Sequence, residues 1–120
     1  MKTLFIVEDD EFYLQYLTVV LSRKYEVSAF TSAEDCMKAT RHKSPDIIIT
    51  DYYLPGINGF DMLQILTKKL PDTKFITLSS IEDGNLVLEL IRKGIRNYVI
   101  KDEDVFRNID ETLADTTYQY

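Results

Sequence analysis

At 120 residues the chain is long enough for one domain with one core and too short for two. Its 45% hydrophobic and 28% charged content is that of an ordinary soluble globular protein, and no apolar run approaches the ~20 residues that span a bilayer. A net charge of −6 and a pI near 4.7 argue against direct nucleic-acid binding, which needs a basic footprint, and leave carboxylates over for a divalent cation.

The opening residues meet acid too early for a signal peptide, so a cytoplasmic location is the expectation. Leu4-Phe5-Ile6-Val7 reads as a first buried strand, and it ends in Glu8-Asp9-Asp10. Asp10 and Glu11 fit helix N-terminal chemistry, where carboxylates cap free N–H groups. Glu8 and Asp9 do not, because they stand at the strand end before the helix begins. Two such neighbours repel each other unless a cation joins them.

Leu14, Leu17 and Leu21 recur at helical spacing, which predicts a first helix from about residue 10 to 23. Residues 25–30 alternate and predict a second strand near an edge. Thr31-Ser32 then cap a helix running through Arg41, with Cys36 on its apolar side as a small core residue. Ser44-Pro45 breaks the chain before Ile47-Ile48-Ile49-Thr50, four β-branched residues that read as a strand buried on both faces. That strand stops at Asp51.

A Pro55-Gly56 turn follows, and Asn58 begins a third helix ending at Lys68-Lys69. Phe75-Ile76-Thr77-Leu78 is the fourth strand and runs into Ser79-Ser80. A fourth helix from about Glu82 closes at Lys93-Gly94, with glycine as the C-terminal stop. Tyr98-Val99-Ile100 is the fifth strand, ending at Lys101. A last helix spans about Asp104 to Thr116, and Thr117–Tyr120 is a tail expected to fray.

Five strand–helix alternations with short connections predict a single α/β domain over 1–120, a parallel sheet with helices on both faces. Helical crossovers put the carboxyl ends of all the strands on one edge. In the doubly wound order 2-1-3-4-5 the switch point lies between strands one and three, so Glu8, Asp9 and Asp51 share a cleft. Three clustered carboxylates call for a hard cation, and Mg2+ suits oxygen ligands. Ser79 and Lys101 add a hydroxyl and an ammonium able to hold phosphoryl oxygens. Alone, Asp51 would be a cap or turn former, Ser79 a loop residue, Lys101 a solvated charge and Tyr98 a plain strand aromatic. Their coincidence at strand ends carries the weight.

On these residues the chain resembles the receiver domain of bacterial two-component response regulators. The matching stretches are Val7-Glu8-Asp9-Asp10, Asp51 through Gly59, Leu78-Ser79-Ser80, and Lys93 through Lys101, in order along the whole chain. The resemblance implies a flavodoxin-like fold. It also implies that Asp51 accepts a phosphoryl group from a phosphohistidine on a sensor histidine kinase or phosphotransfer protein. Glu8, Asp9, Asp51 and the Tyr53 carbonyl would hold Mg2+. Ser79 and Lys101 would bind phosphoryl oxygens, and Ser79 and Tyr98 would form the switch. The output would be a protein target met by the fourth helix, fifth strand and fifth helix, homodimerisation on phosphorylation being one form of it. The chemistry is self-phosphorylation and autodephosphorylation rather than that of a dedicated enzyme. His42, near the end of the second helix, is not the phosphodonor.

Three departures stand out. Asp102 follows Lys101 where many receivers have a cis proline, and a non-proline cis bond costs ~3 kcal/mol, so a trans bond and a reshaped loop are expected. Ser80 replaces a commoner alanine. Tyr53 and Ile81 are bulky and would hinder the water that hydrolyses an acyl phosphate. Two other readings compete: a pseudo-receiver acting only as an interaction module, and a Mg2+-dependent phosphatase with an aspartyl nucleophile. Enzymes of the latter kind want a second Asp where Tyr53 stands. The sequence ends without an output domain, which fits either a protein that signals by binding or a piece of a longer regulator.

Overall fold

The computed structural model describes residues 1–80 and 84–115. Five strands, β1 (Thr3–Val7), β2 (Glu26–Phe30), β3 (Ile47–Asp51), β4 (Lys74–Ser79) and β5 (Tyr98–Ile100), form one parallel sheet in the order β2-β1-β3-β4-β5. Five helices alternate with them: α1 (Glu11–Leu21), α2 (Ala33–Ala39), α3 (Gly59–Lys69), α4 (Gly84–Arg92) and α5 (Val105–Ala114). This is the expected doubly wound architecture.

The isoleucine run shows why the sheet is covered on both sides. Successive strand residues point to opposite faces. Ile47 and Ile49 join Leu4, Ile6, Ile76 and Leu78 in a cluster with Leu14, Leu17 and Leu21 of α1 and Val105 and Ile109 of α5. Ile48 joins Phe5, Val7 and Phe75 in a second cluster with Ala33 and Cys36 of α2 and Met62, Leu63 and Leu66 of α3. A third, smaller cluster of Tyr52, Leu86, Leu90 and Ile95 seats α4, with Tyr98 packed at its margin. β2 mixes half-buried with exposed residues and has no fully buried one, as befits the edge strand it is.

Register brings the strand ends together. Val7 pairs with Thr50, so Glu8 and Asp9 emerge beside Asp51, and Asp51 itself pairs with Leu78, one residue before Ser79. The Lys101 N–H donates to the Ser79 carbonyl at 2.9 Å and ties the end of β5 to the end of β4.

Two helices stop short of their expected ends. α1 ends at Leu21 because the chain tightens into a three-residue turn, the Arg23 N–H donating to Val20 at 3.3 Å. α2 ends at Ala39, where the Thr40 hydroxyl takes the Met37 carbonyl at 2.6 Å. Asp10, Ser32 and Asn58 cap α1, α2 and α3 through their side chains as the sequence predicts. No cis peptide bond occurs among the described residues, in line with the trans expectation at Lys101-Asp102. The expected start of α4 at Glu82, Ile81 at the site, and the chain beyond Asp115 lie outside the described residues.

Candidate functional site

Two close approaches build the floor of the cleft. Gly59 opens α3 directly against the end of β3, with its N–H on the Tyr52 carbonyl at 3.0 Å. A Cβ there would lie 2.0 Å from the Asp51 carbonyl oxygen, so only glycine fits. Gly56 supplies the left-handed backbone, φ +77°, that the preceding turn needs. With those in place, Asp51 stands at the rim and accepts the Tyr52 N–H on Oδ1 at 3.1 Å.

Glu8, Asp9 and Asp51 bring one carboxylate oxygen each within 4.8 Å of one another. They differ sharply in exposure: Glu8 is fully buried, Asp51 half-buried and Asp9 exposed. Lys101 joins them, its ammonium 3.0 Å from Asp51 Oδ2 and donating to Glu8 Oε1. Burial pushes the Glu8 carboxyl up to about 7; Lys101 pulls it down and the charge of Asp51 adds to the rise. Burial alone would lower Lys101, but the hydrogen bond to Glu8 and the charge of Asp51 outweigh it and hold the ammonium above its ordinary range.

The donor set fits a divalent cation. Three carboxylates against one ammonium leave excess negative charge in a partly dry cleft, and all the donors are hard oxygens. The Ser79 hydroxyl lies beside them at the end of β4, fully buried and without a hydrogen-bond partner among the described residues. A buried orphan hydroxyl costs ~1–3 kcal/mol, which is reasonable where a ligand oxygen is to be met.

Glu8, Asp9, Asp51, Ser79 and Lys101 therefore meet at one edge of the sheet. Tyr98 is half-buried on β5, against the α4 cluster rather than in the cleft. Tyr53 is 57% exposed, its ring edge-on to Tyr52 at 4.9 Å.

The contacts of two residues escaped sequence reasoning. Tyr52 is buried, and its hydroxyl accepts from Lys93 at 2.6 Å, 41 residues away. Tyr13 lies with its ring 5.0 Å from the Lys101 ammonium. Neither contact has a local signal. Asp102 accepts the Asp104 N–H at 2.9 Å and closes the loop into α5, while Asp104 makes no side-chain cap. That turn had a legible sign in an Asp two residues before a helix start.

Residues 4–112 match the family model described as the response regulator receiver domain. The transcriptional regulatory protein AfsQ1 of Streptomyces coelicolor is 34% identical over 104 residues, which cover 84% of this chain and 45% of that protein. The chemotaxis protein CheY of Thermotoga maritima is 28% identical over 102 residues, 83% of this chain and 85% of the relative. In structure, the chain is similar to the BeF3-activated DrrB receiver domain, with a TM-score of 0.79, 23% identity, and coverage of 96% and 99% of the two chains. The chain thus spans under half the length of the first of these relatives. Among the described residues, no helix is long and apolar enough to cross a membrane.

Proposed function

The chain belongs to the response regulator receiver family, and from that premise we propose that residues 1–120 form one receiver domain in which Asp51 is the phosphoacceptor. The observation that carries this reading is the meeting of β1, β3 and β5 at one point. Lys101 bridges the buried Glu8 and the half-buried Asp51, with the orphan Ser79 hydroxyl at the next strand end. The aspartyl phosphatase and the pseudo-receiver are not favoured by the family match, and Tyr53 stands where the phosphatase wants its second Asp.

A carboxylate oxygen of Asp51 attacks phosphorus, the phosphorus–nitrogen bond of a phosphohistidine breaks, and the electron pair leaves with the imidazole. Carboxylate is a weak nucleophile, so charge control and alignment supply the catalysis. Glu8, Asp9 and Asp51, with the Tyr53 carbonyl, would hold Mg2+, which would supply charge neutralisation for the attack. Lys101 already points at Asp51 Oδ2 and holds a phosphoryl oxygen as it arrives. Ser79 donates its unused hydroxyl to another.

The product carries more charge and more acceptors than the free carboxylate. Ser79 moves to meet them, and Tyr98, at the margin of the α4 cluster, fills the space it leaves. The readout surface is then α4, β5 and α5, where Leu88 and Ile91 are exposed. The domain acts in the cytoplasm; its phosphodonor is a sensor histidine kinase or phosphotransfer protein, and its output a protein target or a second copy.

The test is intact mass after incubation with Mg2+ and acetyl phosphate. One phosphoryl group is gained by the wild type and none by Asp51→Asn or when the metal is chelated. Donor turnover without mass gain would favour the hydrolase, and neither would favour the pseudo-receiver.

A further inference from the structure

Lys101 must keep a charged, half-buried ammonium aimed at Asp51 whatever else binds in the cleft. Its Nζ carries three N–H donors. The two carboxylates account for two, to Glu8 Oε1 and to Asp51 Oδ2. The ammonium also lies over the ring of Tyr13 on α1, whose centroid is 5.0 Å from Nζ. That is within the ~6 Å over which an aromatic face attracts a cation, and the attraction grows when both are desolvated.

Tyr13 is an odd choice for a purely packing role. Its hydroxyl is buried with no hydrogen-bond partner among the described residues, a cost that Leu or Phe would not bear. The ring leans on Tyr16 at 5.9 Å, and Tyr16 leans on Phe106 of α5 at 5.2 Å. An aromatic stack from α5 through α1 therefore ends at the Lys101 ammonium.

We propose that the Tyr13 ring is a positioning residue for Lys101, holding its ammonium over Asp51 independently of the two carboxylates. The inference rests on the phosphoacceptor reading of Asp51. A carboxylate oxygen cannot serve a metal ion and an ammonium equally, so Glu8 is a partner that Lys101 shares. The ring face is not shared. It keeps Lys101 in the cleft when Glu8 is engaged elsewhere, at the moment when the lysine has to receive a phosphoryl oxygen.

The experiment compares Tyr13→Leu, Tyr13→Met and Tyr13→Phe by labelling rate with acetyl phosphate and by the proton shifts of the Lys101 ε-methylene. In the wild type the ring current places those protons upfield of the other lysines. Leu and Met remove the shift and slow labelling threefold to thirtyfold, ~0.7–2 kcal/mol at about 1.36 kcal/mol per tenfold in rate. Phe retains both shift and rate, because the ring acts and the hydroxyl does not. The Met variant keeps apolar bulk and covers the case in which Leu fails to fold. Unshifted Lys101 protons in the wild type, Leu and Met variants that label like the wild type, or a Phe variant as slow as Leu would each overturn the proposal. Absence of labelling in the wild type, with the upfield shift present, would instead strike the phosphoacceptor reading, since the shift is measured without phosphate.

Discussion

Cys36 is a residue whose role was readable from its neighbours and whose behaviour follows from its burial. It sits fully buried on α2 in the cluster with Val7 and Met62. Burial pushes its thiol up to about 12 from an ordinary value of 9.0. The folded pKa is therefore the raised one, and the linked stability is fully present below about 9 and drains away as pH rises toward 12. At pH 10.5 the loss comes to about 2 kcal/mol. Urea unfolding of the wild type and Cys36→Ala at pH 7.5 and 10.5 measures it. The wild type is expected to be more stable at the lower pH, and its advantage to vanish or reverse at the higher. A constant gap would mean that the thiol is not held neutral. Glu8, Asp9, Asp51 and Lys101 were legible as candidates only together, because each ends an apolar run and parallel topology brings those ends to one edge. Tyr13 and Lys93 were not, because each meets its partner across tens of residues that carry no common pattern.

Among the elements, the junction of β3 and α3 sets the geometry of the cleft, and Gly59 is its tightest point. A side chain there would run into the Asp51 backbone, 2.0 Å from the carbonyl oxygen and 3.0 Å from Thr50 Oγ1. Backbone cannot swing aside as a flexible side chain does. Gly59→Ala is therefore expected to cost at least ~3 kcal/mol in chemical denaturation, the upper end of overpacking, and to reduce Asp51 labelling in whatever fraction still folds. Labelling and stability like the wild type would show that α3 can back away from β3. The sequence places Asn58 as the cap and Gly59 within the helix start, but only the packed structure shows why nothing larger fits. Element identity was legible from periodicity, and so were the side-chain caps. The ends were less so: α1 and α2 each stop about two residues before the ends expected near residue 23 and at Arg41, since tight turns and a threonine hydroxyl compete for the last carbonyls.

For the molecule as a whole, a continuous apolar strand hides two cores that share only a backbone. Ile49 belongs with α1 and α5, while its neighbour Ile48 belongs with α2 and α3. Composition and periodicity announce that β3 is buried; the division of its residues between the faces follows from alternation once the strand is known. Energetically, side chains in different clusters should behave independently, and register partners in one cluster should not. Ile6 and Ile49 are such partners, opposite each other on β1 and β3 and facing the same helices. Each Ile→Val change is expected to cost ~0.5–1.5 kcal/mol. The Ile48→Val/Ile49→Val pair should then add to within ~0.5 kcal/mol, despite adjacency in sequence, whereas Ile6→Val/Ile49→Val should depart from additivity by about that much or more because the two vacated spaces merge. Urea midpoints of the three single variants and the two doubles read the difference. Strong coupling between Ile48 and Ile49, with none between Ile6 and Ile49, would mean that the sheet does not separate its two faces as the register requires.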